Sequence, residues 1–246
     1  MAEKELALSE AYRKEYAEFI DLAVHELDAP LRKLSVLIDR LRISGNPVET
    51  DSNYYPRIQT CLSDMRSILR TLNDLSGCSN EKRASQPCDL KKIIQSIIQD
   101  IPALEVNGTL TMEGLPIFMA DPVQLEMLFR NLLQNAATFS RKDIGLKVDI
   151  SAKLLPPAGY DRYQLSSELI YYSITVSDNG IGFDEANAER IFEPFVRLYG
   201  KSDYPGNGIG LAICRKIVEN HQGVIYAESQ KNVGSKFILI LPQILN

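Results

Sequence analysis

Between Tyr12 and Leu75 the apolar residues recur every three or four positions, which is the period of an α-helix that buries one face. Turn residues (Ser44–Pro47) and a polar stretch interrupt this pattern once. The sequence therefore predicts two long amphipathic helices joined by a loop that spans residues 41–53. The first apolar seam consists of Tyr12, Tyr16, Ile20, Ala23, Leu27, Leu31, Leu34, Ile38 and Leu41, and the second of Tyr55, Ile58, Leu62, Met65, Ile68, Leu72 and Leu75.

A single helical hairpin offers these seams little to pack against. Association of two copies into a four-helix bundle would bury them. We therefore predict that residues 1–80 form an all-α helical hairpin that makes a dimeric four-helix bundle, so that the protein is a homodimer.

The pattern changes after a polar stretch, and we predict a linker over residues 81–88 and a second domain over 89–246. Strand-like and helix-like runs are mixed there, which indicates an α/β two-layer sandwich. Helices are expected at 90–101, 121–139 and 209–220, and strands at 104–112, 146–154, 170–176, 223–229 and 236–241. Residues 155–168 are predicted to be a surface excursion between strands.

Composition excludes several classes of protein. The formal net charge of −5 argues against binding to nucleic acid, which favours a basic surface. No apolar run reaches the length of a membrane segment, so we expect a cytoplasmic protein. The four cysteines (Cys61, Cys78, Cys88 and Cys214) form no C-x-x-C pair, and with two histidines they indicate reduced thiols rather than a zinc site.

Two asparagines lie one turn apart on the helix that follows Asp121. Asn131 and Asn135 flank its apolar stripe, and amides in that position can face a shared cavity. An amide oxygen suits Mg²⁺, and an amide NH₂ group can bind phosphate. By themselves, these residues are equally compatible with two surface or capping asparagines.

Two glycine motifs follow on the chain. Asp178-Asn-Gly-Ile-Gly182 comes directly after an apolar strand, where a carboxylate can accept a hydrogen bond from an exocyclic amine. Gly206-Asn-Gly-Ile-Gly210 opens the last predicted helix, where backbone N–H groups and the helix dipole favour phosphate. Each motif by itself is also compatible with an ordinary flexible turn.

Taken together and in this order, these motifs and the Ile191–Phe195 block (IFEPF) resemble the ATP-binding domain of sensor histidine kinases. That family shares its ATP-binding fold with gyrase, mismatch-repair and heat-shock-chaperone ATPases. The block between the glycine motifs and the segment 206–223 favour the kinase branch. The resemblance extends over roughly residues 15–243.

His25 is expected on the outer side of the first helix, away from the seam residue Leu27. An exposed histidine alone is usually only a solvated surface residue. However, Pro30 interrupts a strong helical pattern, and the segment resembles the phosphoacceptor box of the same kinases, His-Glu-x-x-Thr/Asn-Pro-Leu.

The resemblance implies a role for each matching residue. His25 is the phosphoacceptor and Glu26 its acid/base, Asp178 recognises adenine, and Asn135 holds Mg²⁺ with Asn131 beside the phosphates. The remaining expected ATP contacts are Gly180, Gly182, Arg197, Gly206, Gly208 and Gly210. The implied cofactors are ATP and Mg²⁺, and the implied partner is the receiver domain of a response regulator.

Three features depart from the family pattern. Thr138 stands where many members have Lys or Arg, so that a phosphate contact is either missing or supplied by Arg141 or Lys201. Ala29 replaces the Thr or Asn of the phosphoacceptor box, which predicts weak phosphatase activity, and the lid (199–205) is short. Two alternatives stay open: a degenerate kinase acting as a nucleotide-binding dimeric scaffold, and a stand-alone ATPase of the gyrase class.

Overall fold

The computed structural model describes residues 2–43, 54–80, 85–105, 108–200, 203–204 and 206–243. Most of the predicted loop at 41–53 therefore lies outside the described residues. The chain divides into two compact units, Met1–Asp74 and Leu75–Asn246. Among the described helices, none combines the length and the apolar character needed to cross a membrane.

The first unit is a helical hairpin, as predicted. Helix α1 spans Ala2–Ile43 and continues through Pro30, and helix α2 spans Tyr54–Asn80. Since proline lacks an N–H group, the carbonyl of Glu26 has no helical donor at position 30. Among the described side chains of the hairpin, the buried ones are Ala23 and Leu37 on α1 and Cys61 and Ile68 on α2.

The predicted seam divides into two stripes in the structure. Ala23 is buried, whereas Ile20, Leu31 and Ile38 from the same predicted seam remain exposed. On α2, Ile68 is buried and Leu62 is exposed. The side chains of Tyr12, Tyr16 and Leu75 lie outside the described residues. A single copy therefore buries only part of the apolar surface that the helical period creates.

The second unit is a mixed α/β domain. Its helices are α3 (Leu90–Ile98), α4 (Pro102–Glu105), α5 (Pro122–Thr138) and α6 (Gly210–Asn220). Its strands are β1 (Gln86–Asp89), β2 (Thr109–Glu113), β3 (Ile117–Ala120), β4 (Lys147–Leu154), β5 (Ile170–Asp178), β6 (Val224–Gln230) and β7 (Gly234–Gln243). The main sheet has the order β2-β4-β5-β7-β6, in which only β2 and β4 pair in parallel, while β1 and β3 form a separate antiparallel pair.

The main core lies between this sheet and the helices. Alternate strand residues such as Ile150, Ile174 and Leu239 pack in one cluster with Leu128 of α5 and Ile217 of α6. Alternation places successive strand residues on opposite faces, so the helices cover one face of the sheet. The predicted two-layer α/β sandwich is confirmed.

The start of α5 follows directly from its first two residues. The carboxylate of Asp121 accepts hydrogen bonds from the N–H groups of Val123 (2.9 Å) and Gln124 (3.3 Å), and Pro122 occupies the first helical turn. The helix ends at Thr138. This places Asn131 and Asn135 in the middle and last turns of a helix with a fixed beginning.

The structure differs from the sequence prediction around residues 81–105. Helix α2 extends to Asn80, and Gln86–Cys88 of the predicted linker belong to strand β1. The strand predicted at 104–112 begins only at Thr109, because residues 102–105 form helix α4. A Cβ on Gly108 would lie 2.7 Å from the Cα of Leu104, so Gly108 packs closely against helix α4.

The excursion at 155–168 covers part of the other face of the sheet. It forms two short 3₁₀ turns and buries Tyr160 against Tyr171 and Ile240. The rings of Tyr160 and Tyr171 meet edge to face with centroids 5.2 Å apart. The predicted surface loop therefore contributes a small second core.

Candidate functional site

Asp178 ends strand β5 and lies at the meeting point of two loops. Its Oδ1 accepts hydrogen bonds from the backbone N–H groups of Gly180 (2.8 Å) and Ser235 (3.2 Å). Burial raises the pKa of this carboxyl, while the two backbone hydrogen bonds oppose the shift. A buried carboxylate with one oxygen held by the protein can offer the other oxygen to a ligand donor.

The loop after Asp178 is packed too closely for side chains. A Cβ on Gly180 would lie 2.5 Å from the carbonyl oxygen of Phe139. Gly182 has a φ of +58°, and a Cβ there would overlap the carbonyl oxygen of Gln230. Both glycines therefore allow the 178–182 segment to lie against the end of α5 and the β6–β7 turn.

Asn131 brings α5 to the last glycine motif. Its Nδ2 donates to the carbonyl of Met127 (2.9 Å), and its Oδ1 lies 2.8 Å from the position of a Cβ on Gly210. Asn135 lies one turn further along α5 and is partly buried. Both predicted asparagines thus lie on the helix that packs against α6, and Asn131 directly faces its first turn.

The 206–210 segment forms a turn that leads into α6. Gly206 has no atom within 4 Å of its Cβ position, whereas a Cβ on Gly208 would lie 2.7 Å from the carbonyl oxygen of Val196. Helix α6 begins at Gly210 without a side-chain hydrogen bond from its N-cap residue, Ile209. Its first backbone N–H groups therefore point out of the helix end, which is an arrangement that favours an anion.

The short lid contributes an aromatic group that the sequence patterns did not reveal. The Tyr199 hydroxyl donates to the carbonyl of Gly182 (2.5 Å), and burial raises the pKa of this phenol. The rings of Tyr199, Tyr204 and Phe139 lie 5.2–6.0 Å apart. Arg197, the predicted phosphate ligand, donates to the carbonyl of Tyr204 (2.7 Å). Residues 201–202 and 205 of the lid lie outside the described residues.

The sequence patterns also did not predict that Gly234 and Ser235 contribute to the site. A Cβ on Gly234, which has a φ of +142°, would overlap the carbonyl oxygen of Asp178. Ser229 supports this turn, because its hydroxyl donates to the carbonyl of Gly234 (2.8 Å). The available signal was a glycine at the start of an apolar strand, which marks a close backbone approach but does not reveal the partner.

Arg141 was one of two residues considered as a replacement for the phosphate contact missing at Thr138. Its guanidinium instead forms an ion pair with Asp143 (2.6 Å) and donates to the carbonyl of Asn232 (2.8 Å). The other residue, Lys201, lies outside the described residues.

His25 and Glu26 belong to the first unit and are exposed on α1, as is Ala29. The other histidine has a structural role. The Nε2 atom of His221 accepts a hydrogen bond from the N–H of Asp121 (3.2 Å), and its Nδ1 lies 2.8 Å from the carbonyl of Ile217. Of the two histidines, His25 is therefore the more exposed one, whereas His221 is half-buried and both of its ring nitrogens contact backbone groups.

The oxygen atoms of this site suit a metal ion that is held mainly by the phosphates of a bound ligand and only in part by protein side chains. No group of three or more His, Cys, Asp or Glu side chains suited to a metal occurs among the described residues. Mg²⁺ commonly keeps several waters and binds through one or two protein oxygens plus phosphates. The amide oxygen of Asn135, one turn beyond Asn131 on α5, suits that mode. The described cysteines Cys61, Cys88 and Cys214 are buried and form no disulfide.

Known proteins share this arrangement. The family model for histidine kinase-, DNA gyrase B-, and HSP90-like ATPases matches residues 120–244. Cyanobacterial phytochrome A of Nostoc sp. is 31% identical over 93% of this chain and 28% of its own length. The alginate biosynthesis sensor protein KinB of Pseudomonas aeruginosa is 31% identical over 94% of this chain and 38% of its own length. The chain thus spans less than half the length of these two relatives.

A solved structure extends the likeness to both units of the fold. The histidine kinase ThkA, in complex with the response regulator protein TrrA, aligns with a TM-score of 0.64 and 21% identity. The alignment covers 98% of this chain and 67% of that one. With a helical hairpin followed by this ATPase domain, the chain belongs to the histidine kinase-, DNA gyrase B- and HSP90-like ATPase family and has the fold of a sensor histidine kinase catalytic core.

Proposed function

We propose that this protein is a protein-histidine kinase that uses ATP to phosphorylate His25 and then transfers the phosphoryl group to an aspartate of a response regulator. The observation that carries the proposal is an exposed His25–Glu26 pair on a helical hairpin, in one chain with an ATPase domain that holds the partly buried Asp178 carboxylate by two backbone N–H groups. A stand-alone ATPase has no use for such a hairpin.

Nucleotide binding follows from the chemistry of the pocket residues. The free oxygen of Asp178 accepts a hydrogen bond from the adenine amine, and Gly180 and Gly182 allow the base to approach the backbone. The start of α6 binds the phosphates through its N–H groups, with Gly206, Gly208 and Gly210 shaping the turn. Asn131 lies beside the phosphates, Asn135 holds Mg²⁺, and Arg197 contacts the γ-phosphate.

Two side chains are sufficient to account for every bond and proton in the phosphoryl transfer. One ring nitrogen of His25 attacks the γ-phosphorus, and the bond to the bridging oxygen breaks so that ADP leaves with that electron pair. The other ring nitrogen gives its proton to the Glu26 carboxylate. Bound Mg²⁺ neutralises charge on the phosphate oxygens.

A homodimer accounts for the exposed apolar stripes of the hairpin. On α1, Ile20, Leu31 and Ile38 lie on one flank beside the buried stripe, and on α2, Leu62 and Leu69 do the same. A second hairpin would bury them in a four-helix bundle. The exposed His25 lies away from this flank, since helical steps place it on the far side of α1.

The second step uses a separate receiver domain. Family membership supports it, and so does the response regulator partner of the fold neighbour ThkA. The phosphohistidine is a high-energy adduct, so transfer to an aspartate is favourable. A cytoplasmic location follows from this proposal, because ATP is the substrate.

Incubation with γ-labelled ATP and Mg²⁺ tests the proposal. We expect acid-labile label on the full chain, its loss in His25→Gln, and unchanged ADP binding in that variant. His221→Gln is the matched control and should keep the label if it folds, which its ADP binding reports. Free phosphate without labelled protein would indicate an ATPase, and nucleotide binding without either product would indicate a degenerate scaffold.

A further inference from the structure

The guanidinium of Arg141 is held entirely by protein groups. Its Nε and Nη2 bind the carboxylate of Asp143 at 3.2 and 2.6 Å, and its Nη1 donates to the carbonyl of Asn232 at 2.8 Å. The Arg141 side chain is 28% exposed although it lies on a loop. A planar guanidinium can make these links at once because its donors point in fixed directions.

Asn232 lies in the turn between β6 and β7 and has a φ of +62°. Its N–H donates to the carbonyl of Ile181 (2.7 Å), and the N–H of Ile181 donates to the carbonyl of Phe139 (2.9 Å). Arg141 follows Phe139 by two residues. It therefore closes a ring of hydrogen bonds that joins the end of α5, the glycine loop after Asp178, and the β6–β7 turn.

This turn also sets the position of Asp178. Two residues beyond Asn232, Gly234 packs on the Asp178 backbone, and the next N–H, that of Ser235, donates to Asp178 Oδ1 at 3.2 Å. A shift of this turn therefore displaces the Ser235 N–H group, which donates to the Asp178 carboxylate. We assign that carboxylate to the binding of the adenine amine.

We propose that Arg141 is a positioning residue for nucleotide binding, which holds the β6–β7 turn against the base-binding wall through the carbonyl of Asn232. The inference rests on the proposed function, because it assumes that the pocket binds a nucleotide. It goes beyond that function by assigning Arg141 to the base side of the pocket and not to the phosphates.

The charge of Arg141 is already matched by Asp143. The guanidinium holds the pKa of the Asp143 carboxyl below its ordinary value, so the pair stays ionised and adds no net positive charge at neutral pH. If Arg141 instead bound phosphate, in place of the contact missing at Thr138, its guanidinium would have to release Asp143. The geometry of the pair thus favours a structural link over a charge directed at phosphate.

Calorimetric titration of the 246-residue chain with adenosine, AMP and Mg-ADP separates the two roles. For Arg141→Ala we expect the same loss for all three ligands, about 3- to 10-fold, because one hydrogen-bonded link is removed. Arg141→Lys should not restore affinity, since an ammonium group cannot bind Asp143 and Asn232 in this forked geometry. Asp143→Asn, a milder change, should shift affinity in the same direction.

Arg130→Ala is the matched control, because Arg130 of α5 also bridges two acceptors, Glu126 and Asp100, and its side chain is 30% exposed, much like that of Arg141. It should leave all three affinities unchanged. A loss that grows from adenosine to ADP, or rescue by lysine, would overturn the proposal and assign Arg141 to phosphate. Unchanged binding in Arg141→Ala would also overturn it. If the wild-type chain binds none of these ligands, the proposed function fails as well.

Discussion

The backbone N–H of Ser235 donates to Asp178 Oδ1 over 3.2 Å, and so connects the end of β5 to the start of β7. The N–H of Gly180 donates to the same oxygen over 2.8 Å. Burial nevertheless raises the pKa of Asp178, because two hydrogen bonds from neutral donors do not replace the lost hydration. The ionised form of Asp178 is therefore less favourable in the folded protein than in the unfolded chain.

Replacement of Asp178 by Asn should separate binding from stability. Asn keeps an acceptor for Gly180 and Ser235 but turns an NH₂ group towards the adenine amine, so two donors would oppose each other. We expect ADP affinity to fall about 10- to 100-fold, in line with the loss of a charged hydrogen bond. Unchanged ADP affinity by calorimetry would remove Asp178 from the base site.

The same variant should be more stable than the wild type, and more so at pH 7 than at pH 4. The folded protein binds the Asp178 proton more tightly than the unfolded chain does. The stability that the protonated group contributes is therefore fully present below its ordinary pKa of 3.8 and is lost as pH rises through the raised pKa. Urea unfolding of both proteins at the two pH values measures the difference, and an advantage for Asn that shrinks towards pH 7 would contradict this reasoning.

Gly234→Ala should destabilise the ATPase domain by about 2–4 kcal/mol, since the new Cβ meets the Asp178 carbonyl and the left-handed backbone is strained. Gly159→Ala is the control, because its nearest neighbour lies at an ordinary 3.4 Å and its backbone is not left-handed. That variant should stay within about 0.5 kcal/mol of wild type. Equal midpoints of the two variants in denaturant titrations would refute the tight contact.

Ile38→Glu should dissociate the dimer, because a charge would be buried between two hairpins. Ile38 is 50% exposed in one copy and lies on the unpaired apolar flank. Val36 is equally exposed, at 51%, but helical geometry places it on another side of α1, so Val36→Glu should leave the dimer intact. Light scattering at micromolar concentration should give the 27.6 kDa monomer mass only for Ile38→Glu. A monomeric wild type would leave the exposed stripe unexplained.

Ala29 lies one helical turn from His25 and is exposed like it. Its methyl group has no donor or acceptor with which to hold a hydrolytic water, so we expect little phosphatase activity alongside intact autophosphorylation. The measurement is the decay of a phosphorylated receiver domain with and without added protein. Ala29→Thr should accelerate that decay. Fast decay with the unmodified protein would show that another side chain, such as Asp28, performs the reaction.

Local signals predicted much of the secondary structure. The Asp121-Pro122 pair predicted the start of α5, and the apolar runs predicted strands β4 to β7, because capping and periodicity depend on neighbouring residues. Strands β1 and β3 were not predicted, because each has four residues and pairs only with the other, across two helices and a strand. The single predicted seam on α1 was also incomplete, because the helical period does not indicate which flank faces α2 and which remains exposed.

The motifs in the sequence predicted the residue types of the candidate site: a carboxylate at a strand end, two amides one helical turn apart, and glycines where backbone must approach closely. Those choices depend on short stretches of chain and are readable without a structure. Only the tertiary structure shows that the Ser235 N–H donates to Asp178, that the Tyr199 hydroxyl donates to the carbonyl of Gly182, and that Arg141 donates to the carbonyl of Asn232. These contacts join segments far apart in sequence, and their geometry is set by how the sheet and helices pack, which local periodicity does not encode.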